Sequence, residues 1–137
     1  MLRTQGIAHF TIPVSDLERS KKFYTEILGL ELVRAAGPHL VFLRSGKDSV
    51  VLAQAGDAVK PQKSGAGTSE VHHAFIVEHR DFESSVEELK RAGVNIFEQD
   101  ERGPGSVFNG RSAYFYDPDG NILEIIDLAA TAFRHTS

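Results

Sequence analysis

The sequence predicts an α+β fold that consists of two βαβββ modules. Two observations support this prediction: a run rich in β-forming residues opens each half of the chain, and an amphipathic helical stretch follows each run. These paired elements recur in the same order roughly 64 residues apart. With 137 residues, of which 41% are hydrophobic and 25% charged, the chain has the size and composition of one globular domain. We therefore expect the two modules to share a single domain.

Each predicted opening strand contains a histidine. The two runs span residues 7–14 and 71–77, and both are rich in β-branched and aromatic residues. His9 and His72 each stand five residues before the valine that ends the run. The two imidazoles therefore occupy the same position in the repeat.

A helix is predicted after the first strand. Ser15 and Glu18 are expected to form a capping box around Asp16, and the helix is expected to end at Gly29. The apolar stripe of this helix consists of Leu17, Tyr24 and Leu28.

The second half repeats this pattern. Asp81 is predicted to cap its helix, and Gly93 occupies the matching stop position. The apolar stripe consists of Phe82, Val86 and Leu89. The two helices are thus equivalent in the repeat.

Three short apolar segments, separated by turn residues, complete each module. They cover residues 31–34, 40–43 and 50–52 in the first half, and residues 94–98, 112–116 and 122–126 in the second. Residues 54–69 and 100–110 are rich in glycine and polar side chains without periodicity, which predicts mobile loops near a site. The predicted limits are about 5–56 for module one, 57–69 for a linker, 70–128 for module two and 129–137 for a C-terminal tail.

Composition excludes several classes of function. A formal net charge of -4, without a run of basic residues interleaved with aromatics, argues against nucleic acid as a partner. The absence of cysteine excludes disulfides, thiolate metal ligands and a cysteine nucleophile. Neither a targeting segment nor an apolar stretch of about twenty residues is apparent, so we expect a cytoplasmic protein without a membrane partner.

Strand alternation selects candidate metal ligands. Side chains alternate between faces, so His9 and Thr11 share one face, and His72 points away from the face of His73. Glu124 lies among apolar residues of the last predicted strand, where an ionised carboxylate is unfavourable unless it is paired or binds a cation. Two imidazoles and one carboxylate suit a divalent metal with open positions for water and substrate, which favours catalysis. An ion pair at a strand end is the alternative for Glu124.

The chain resembles the vicinal-oxygen-chelate superfamily, which includes glyoxalase I, fosfomycin-modifying enzymes, extradiol dioxygenases and bleomycin-resistance proteins. Three segments carry the resemblance: IAHFTIPVSDL at residues 7–17, FYTEILGL at 23–30 and YFYDPDGNILEI at 114–125. The resemblance implies paired βαβββ modules that form a curved mixed sheet around a metal cavity, commonly in a homodimer. It leaves open whether modules pair within one chain or swap between two.

The resemblance also implies a ligand set. Ligands in the superfamily come from the first and last strands of each module, so His9, His72 and Glu124 match three of four places. The fourth place falls on Leu52, although Gln54 faces the same way. The implied metal is Mn, Fe, Ni, Co or Zn.

The implied substrate is small and rich in oxygen, because the superfamily chelates two vicinal oxygens on its metal. Thr11 and Tyr114 fall where relatives contact substrate, and Arg111 on the flanking loop is expected to supply charge complementarity. For Tyr114, a position in the core is the alternative.

The reaction class stays open among a glyoxalase-like lyase or isomerase, a transferase and a ring-cleaving dioxygenase. The missing fourth ligand counts against a glutathione-dependent glyoxalase. A missing lysine within residues 97–100 counts against fosfomycin as the substrate, and a missing histidine within residues 103–111 counts against a dioxygenase. The rival hypothesis from another class is a metal-free ligand-binding protein of the bleomycin-resistance type.

Overall fold

The computed structural model describes residues 1–55 and 70–128. The chain forms two compact units, Met1–Gln62 and Lys63–Ser137, and each is built on a four-stranded mixed sheet. Strands and helices follow the order β-α-β-β-β in both units, which confirms the predicted α+β fold of two βαβββ modules. The predicted linker at 57–69 and the predicted tail at 129–137 lie outside the described residues.

The elements of the first unit are β1 at His9–Val14, α1 at Leu17–Lys22, a π-helical turn at Phe23–Ile27, β2 at Glu31–Ala36, β3 at Leu40–Ser45 and β4 at Asp48–Gln54. The sheet order is β1-β4-β3-β2, with β1 parallel to β4 and the other pairs antiparallel. The helix α1 packs against β4 and β3.

Burial along β1 shows the predicted alternation. Ile12 and Val14 are buried in the core, whereas His9 and Thr11 on the opposite face are exposed. Phe10 is the exception on the core side, since 47% of its surface stays exposed. One face of β1 is therefore committed to packing, and the other is accessible.

The start of α1 differs from the prediction. Asp16 itself is the N-cap, and its Oδ1 accepts a hydrogen bond from the backbone N–H of Arg19 at 3.0 Å. The predicted capping box between Ser15 and Glu18 is wrong, because the Ser15 hydroxyl accepts from the Arg19 guanidinium instead. The helical stretch ends before Gly29, whose φ of +79° confirms the predicted stop.

The elements of the second unit are β5 at His72–Val77, a 3₁₀ turn at His79–Asp81, α2 at Phe82–Arg91, β6 at Ile96–Arg102, β7 at Gly110–Tyr116 and β8 at Ile122–Asp127. This unit repeats the topology of the first with the order β5-β8-β7-β6, in which β5 runs parallel to β8. Every residue of β8 is buried, so this strand lies at the centre of the unit's packing.

The helix α2 confirms the predicted stripe, since Phe82, Val86 and Leu89 are all buried. Gly93 follows the helix with a φ of +80°. Asp81 makes no side-chain cap; its backbone carbonyl accepts hydrogen bonds from the hydroxyls of two serines in the first turn. Within residues 1–55 and 70–128, no helix is long and apolar enough to cross a membrane.

The predicted loop at residues 100–110 is shorter than expected. Residues 100–102 belong to β6, where Asp100 pairs with Ser112 and Arg102 pairs with Gly110. Arg111 consequently lies within β7, not on a flanking loop. These pairings bring polar side chains of β6 beside those of β7.

Candidate metal centre

His72 and Glu124 meet on the adjacent parallel strands β5 and β8. His72 Nε2 lies 3.2 Å from Glu124 Oε1. His73 points to the other face of β5, and burial lowers its pKa below the ordinary value, with the neighbouring His72 adding to the effect. The structure thus brings two of the predicted ligands together, and His72 is the one of the histidine pair that faces the carboxylate.

The Glu124 carboxylate is almost completely removed from water. Its side chain is 4% exposed, and its second oxygen, Oε2, accepts a hydrogen bond from the Ser112 hydroxyl at 2.6 Å. A buried carboxylate needs such partners, because loss of hydration is strongly unfavourable. The His72 side chain that contacts this carboxylate is 24% exposed.

The position of the imidazole proton on His72 determines whether His72 and Glu124 can share a cation. His72 Nδ1 lies 2.7 Å from the backbone carbonyl oxygen of Glu70, which only accepts hydrogen bonds, so Nδ1 carries a proton. In a neutral imidazole, Nε2 then directs a lone pair at Glu124 Oε1. Two lone pairs 3.2 Å apart need a cation, either a second imidazole proton or a metal ion.

The donor set fits a divalent metal. Imidazole nitrogen and carboxylate oxygen are ligands that Mn, Fe, Co, Ni and Zn accept, and a ligating histidine usually donates its other N–H to a carbonyl or carboxylate. His72 already makes that outer hydrogen bond. Within the described part of the second unit, no third His, Asp or Glu joins the pair. Two protein ligands leave most coordination positions open.

Tyr114 also belongs to this cluster. It sits opposite Glu124 in the antiparallel pairing of β7 with β8, and its ring centroid lies 5.8 Å from that of His72. Burial, followed by the negative charges of Glu124 and Asp100, raises the pKa of the Tyr114 phenol. The hydroxyl therefore stays protonated near neutral pH and can donate a hydrogen bond.

His9 and Thr11 lie in the first unit, on the accessible face of β1. In a parallel pair, residues in register point to the same side, so the β4 residues on this face are Ser49, Val51 and Ala53. On this face β1 and β4 thus offer one imidazole and two hydroxyls, those of Thr11 and Ser49, and the β4 positions carry no carboxylate.

The register corrects the predicted fourth ligand place. Glu124 pairs with the residue two positions after His72, and the residue two positions after His9 pairs with Val51. The prediction of Leu52 is therefore wrong by one residue, which moves the place to the opposite face of β4. Leu52 is fully buried in the core. The conclusion that the fourth place holds no ligand is unchanged, because valine cannot coordinate a metal.

Gln54, the other candidate for the fourth place, holds the start of α1. Its Oε1 accepts from the backbone N–H of Leu17 at 3.1 Å, and its Nε2 donates to the carbonyl of Ser15 at 2.6 Å. Both ends of the amide are used within the first unit. Gln54 is thus explained by the fold.

Arg111 is not brought together with these residues. Its guanidinium lies 4.6 Å above the ring of Phe82 on the helix-facing side of β7. Asp127 Oδ2 accepts from Arg111 Nε at 3.3 Å and also lies 2.6 Å from His79 Nδ1. Arg111 further donates to Glu83. In this environment it stabilises a buried carboxylate of the second unit.

Two polar residues of the site were not predicted. Ser112 contacts Glu124, and Arg102 donates to the Ser112 hydroxyl at 2.5 Å. Ser112 stands two residues before Tyr114, so strand alternation alone could have identified it. Arg102 carried no such signal, because the sequence placed it in a loop.

Comparison with known proteins agrees with this geometry. The sequence profile of the Glyoxalase/Bleomycin resistance protein/Dioxygenase superfamily matches residues 6–125. The glutathione transferase FosA of Serratia marcescens is 38% identical over 123 residues, which cover 88% of this chain and 79% of that protein. The metallothiol transferase FosB of Staphylococcus epidermidis is 31% identical over 120 residues, covering 88% and 80%.

A solved structure shows the same fold. It is the crystal structure of a mutant of the fosfomycin resistance protein FosX from Listeria monocytogenes, complexed with Mn(II) and 1S,2S-dihydroxypropylphosphonic acid. It matches with a TM-score of 0.70 and 24% identity over 90% of each chain.

The two transferases confirm the predicted class of metal-dependent enzyme and do not support a metal-free binding protein. The chain belongs to the Glyoxalase/Bleomycin resistance protein/Dioxygenase superfamily, the vicinal-oxygen-chelate group that its sequence resembles.

Proposed function

We propose that this protein is a divalent-metal-dependent transferase that adds a thiol to a small, oxygen-rich electrophile. The observation that carries the proposal is the His72–Glu124 pair, whose facing lone pairs at 3.2 Å call for a shared cation. Among the three reaction classes left open by the sequence, thiol transfer is favoured because two relatives are named as thiol transferases. Neither of these two relatives is named as a lyase or as a ring-cleaving dioxygenase.

In this proposal His9 is the third metal ligand beside His72 and Glu124. The bound metal would act as a Lewis acid on two adjacent substrate oxygens. The assignment of His9 as a ligand is supported by its place in the repeat and by its exposure on the face of β1 opposite the core. The face carries no carboxylate on β4, so the predicted site is open to substrate.

Tyr114 and Thr11 are proposed to orient the substrate. The raised pKa of Tyr114 keeps its hydroxyl protonated, so it donates a hydrogen bond to an oxygen that gains negative charge during the reaction. Thr11 shares the accessible face of β1 with His9 and offers a hydroxyl as donor or acceptor. Arg111 is not among the proposed substrate contacts, since its guanidinium contacts Asp127 and Phe82.

We further propose a cytoplasmic homodimer. Whether His9 joins His72 and Glu124 of its own chain or of a second chain can be decided by mixing two inactive variants. If modules swap between chains, a mixture of His9→Ala and Glu124→Gln proteins regains about a quarter of the wild-type activity, because some dimers then contain an intact site. If modules pair within a chain, the mixture stays inactive.

The transferase proposal is tested by thiol consumption. Purified protein loaded with Mn²⁺ is incubated with glutathione or cysteine and either fosfomycin or an uncharged epoxide, and free thiol is followed with time. Metal-dependent loss of thiol supports the proposal. A protein that consumes no thiol but isomerises a glutathione hemithioacetal, or cleaves a catechol in air, belongs to one of the other reaction classes.

A further inference from the structure

The Ser112 hydroxyl connects Glu124 to a guanidinium with a fixed direction of hydrogen bonding. Ser112 is fully buried, and its Oγ lies 2.6 Å from Glu124 Oε2 and 2.5 Å from Arg102 Nη2. A guanidinium only donates, so Ser112 accepts from Arg102, and its single proton is directed to the carboxylate. The hydrogen bonds therefore all point in one direction, from Arg102 through Ser112 to Glu124.

Arg102 is itself held in place by two further atoms of the second unit. Its Nε donates to the carbonyl of Phe108 at 2.7 Å, and its Nη1 forms an ion pair with Asp100. Asp100 lies directly across from Ser112 in the pairing of β6 with β7. With all arms of the guanidinium engaged, Arg102 has little rotational freedom around the Ser112 hydroxyl.

These contacts give the two carboxylate oxygens of Glu124 different partners. Oε2 receives the Ser112 proton, while Oε1 faces His72 Nε2. When one oxygen of a carboxylate is held by a hydrogen bond, the other oxygen is left as a single, oriented metal-ligating atom. The same bond satisfies the buried Oε2, which otherwise would favour binding of the metal through both oxygens.

We propose that Arg102 and Ser112 form a positioning relay, which fixes Glu124 as a one-oxygen metal ligand and thereby sets the affinity of the site. The inference rests on the proposed function, because it requires a metal at His72 and Glu124. Arg102 and Ser112 are positioning residues that act through Glu124. A structural role in the core alone predicts changes in stability without changes in the metal's environment.

The test measures binding of Co²⁺ and Mn²⁺ to the full chain. Ser112→Ala and Arg102→Met are each expected to weaken Mn²⁺ binding about 10- to 100-fold, the range found when outer hydrogen-bond partners of metal ligands are removed. The visible absorption spectrum of bound Co²⁺ is expected to shift, since the carboxylate is free to bind through two oxygens. Ser112→Thr keeps the hydroxyl and is expected to restore both affinity and spectrum.

A double variant separates the relay from independent effects. Because Arg102 acts through the Ser112 hydroxyl, Arg102→Met in the Ser112→Ala background is expected to weaken binding no further. Ser20→Ala is the matched control, since Ser20 is equally buried but lies in the first unit. It is expected to leave the affinity and the Co²⁺ spectrum unchanged.

The outcomes distinguish the inference from the proposed function. If the wild-type protein binds neither Co²⁺ nor Mn²⁺, the proposed metal site itself is wrong. If the wild type binds metal but both single variants, folded by circular dichroism, keep its affinity within twofold and its Co²⁺ spectrum, the relay is refuted. Arg102→Met keeps the test decisive should Ser112→Ala fail to fold, because Arg102 is partly exposed.

Discussion

Replacing Arg111 by methionine is predicted to destabilise the protein strongly without changing its metal site. Arg111 is a cationic partner of Asp127, a carboxylate with 1% of its side chain exposed. Among the described residues, Asp127 Oδ1 has no hydrogen-bond partner, so the charge depends on contacts to Oδ2. Methionine preserves the packing volume against Phe82 but removes the charge and the donors.

The magnitude follows from the burial of each contact. Removing one partner of a buried ion pair costs about 3–5 kcal/mol, because an uncompensated charge remains. The Arg111 side chain is 23% exposed, and His79 still contacts Asp127, so the lower end of that range applies, about 3 kcal/mol. The contact with Glu83 adds little, since that side chain is 87% exposed. For a chain of this length, about 3 kcal/mol lowers the melting temperature by roughly 10 °C.

Urea denaturation followed by far-ultraviolet circular dichroism measures this loss. The matched control is Arg44→Met, which breaks a shorter ion pair with Glu31 at 2.7 Å between two exposed side chains and is expected to leave the urea midpoint almost unchanged. Adding Asp127→Leu to Arg111→Met is expected to restore much of the lost stability, because the unpaired charge disappears. Equal effects of the Arg111 and Arg44 substitutions on the urea midpoint would show that burial of Asp127 does not determine the loss of stability. A loss of Mn²⁺ affinity in Arg111→Met would show that Arg111 supports the metal site.

Four further substitutions test the site and its support. Gln54→Ala removes two hydrogen bonds at the start of α1 and is expected to cost about 1–2 kcal/mol in urea denaturation; an unchanged midpoint contradicts the assigned role. In the proposed site Val51→Glu places a carboxylate at the fourth ligand position, so Mn²⁺ binding should tighten while turnover falls. Leu52→Glu puts the charge on the opposite face of β4, where no metal offsets its burial, and should unfold the protein. Tyr114→Phe should lower turnover about 10- to 1000-fold and leave the Mn²⁺ affinity unchanged; normal turnover excludes the proposed hydrogen bond.

The sequence predicted most of the fold because its signals were local. Alternation in β1, the stripe of Phe82, Val86 and Leu89 in α2, and the stop at Gly93 each depend on residues near one another in the chain. The same alternation selected His72, which the structure places against Glu124.

The errors arose where the answer depends on long-range pairing. Leu52 was chosen for the fourth ligand place by its position in the sequence, but register decides the face of a strand, and a shift of one residue reverses it. Residues 100–102 were predicted as a loop because their polar side chains lack the apolar alternation of a strand, although they pair with β7. Arg102 and the true surroundings of Arg111 could not be predicted without that pairing.

Calorimetric titration of the metal-free protein with Mn²⁺ shows whether His72 and Glu124 bind a divalent metal. We predict one Mn²⁺ per chain for the wild type, with binding reduced at least about 100-fold in His72→Ala and in Glu124→Gln, both still folded by circular dichroism. A wild-type protein that binds no Mn²⁺, or a His72→Ala variant that binds it as tightly as the wild type, would contradict the claim.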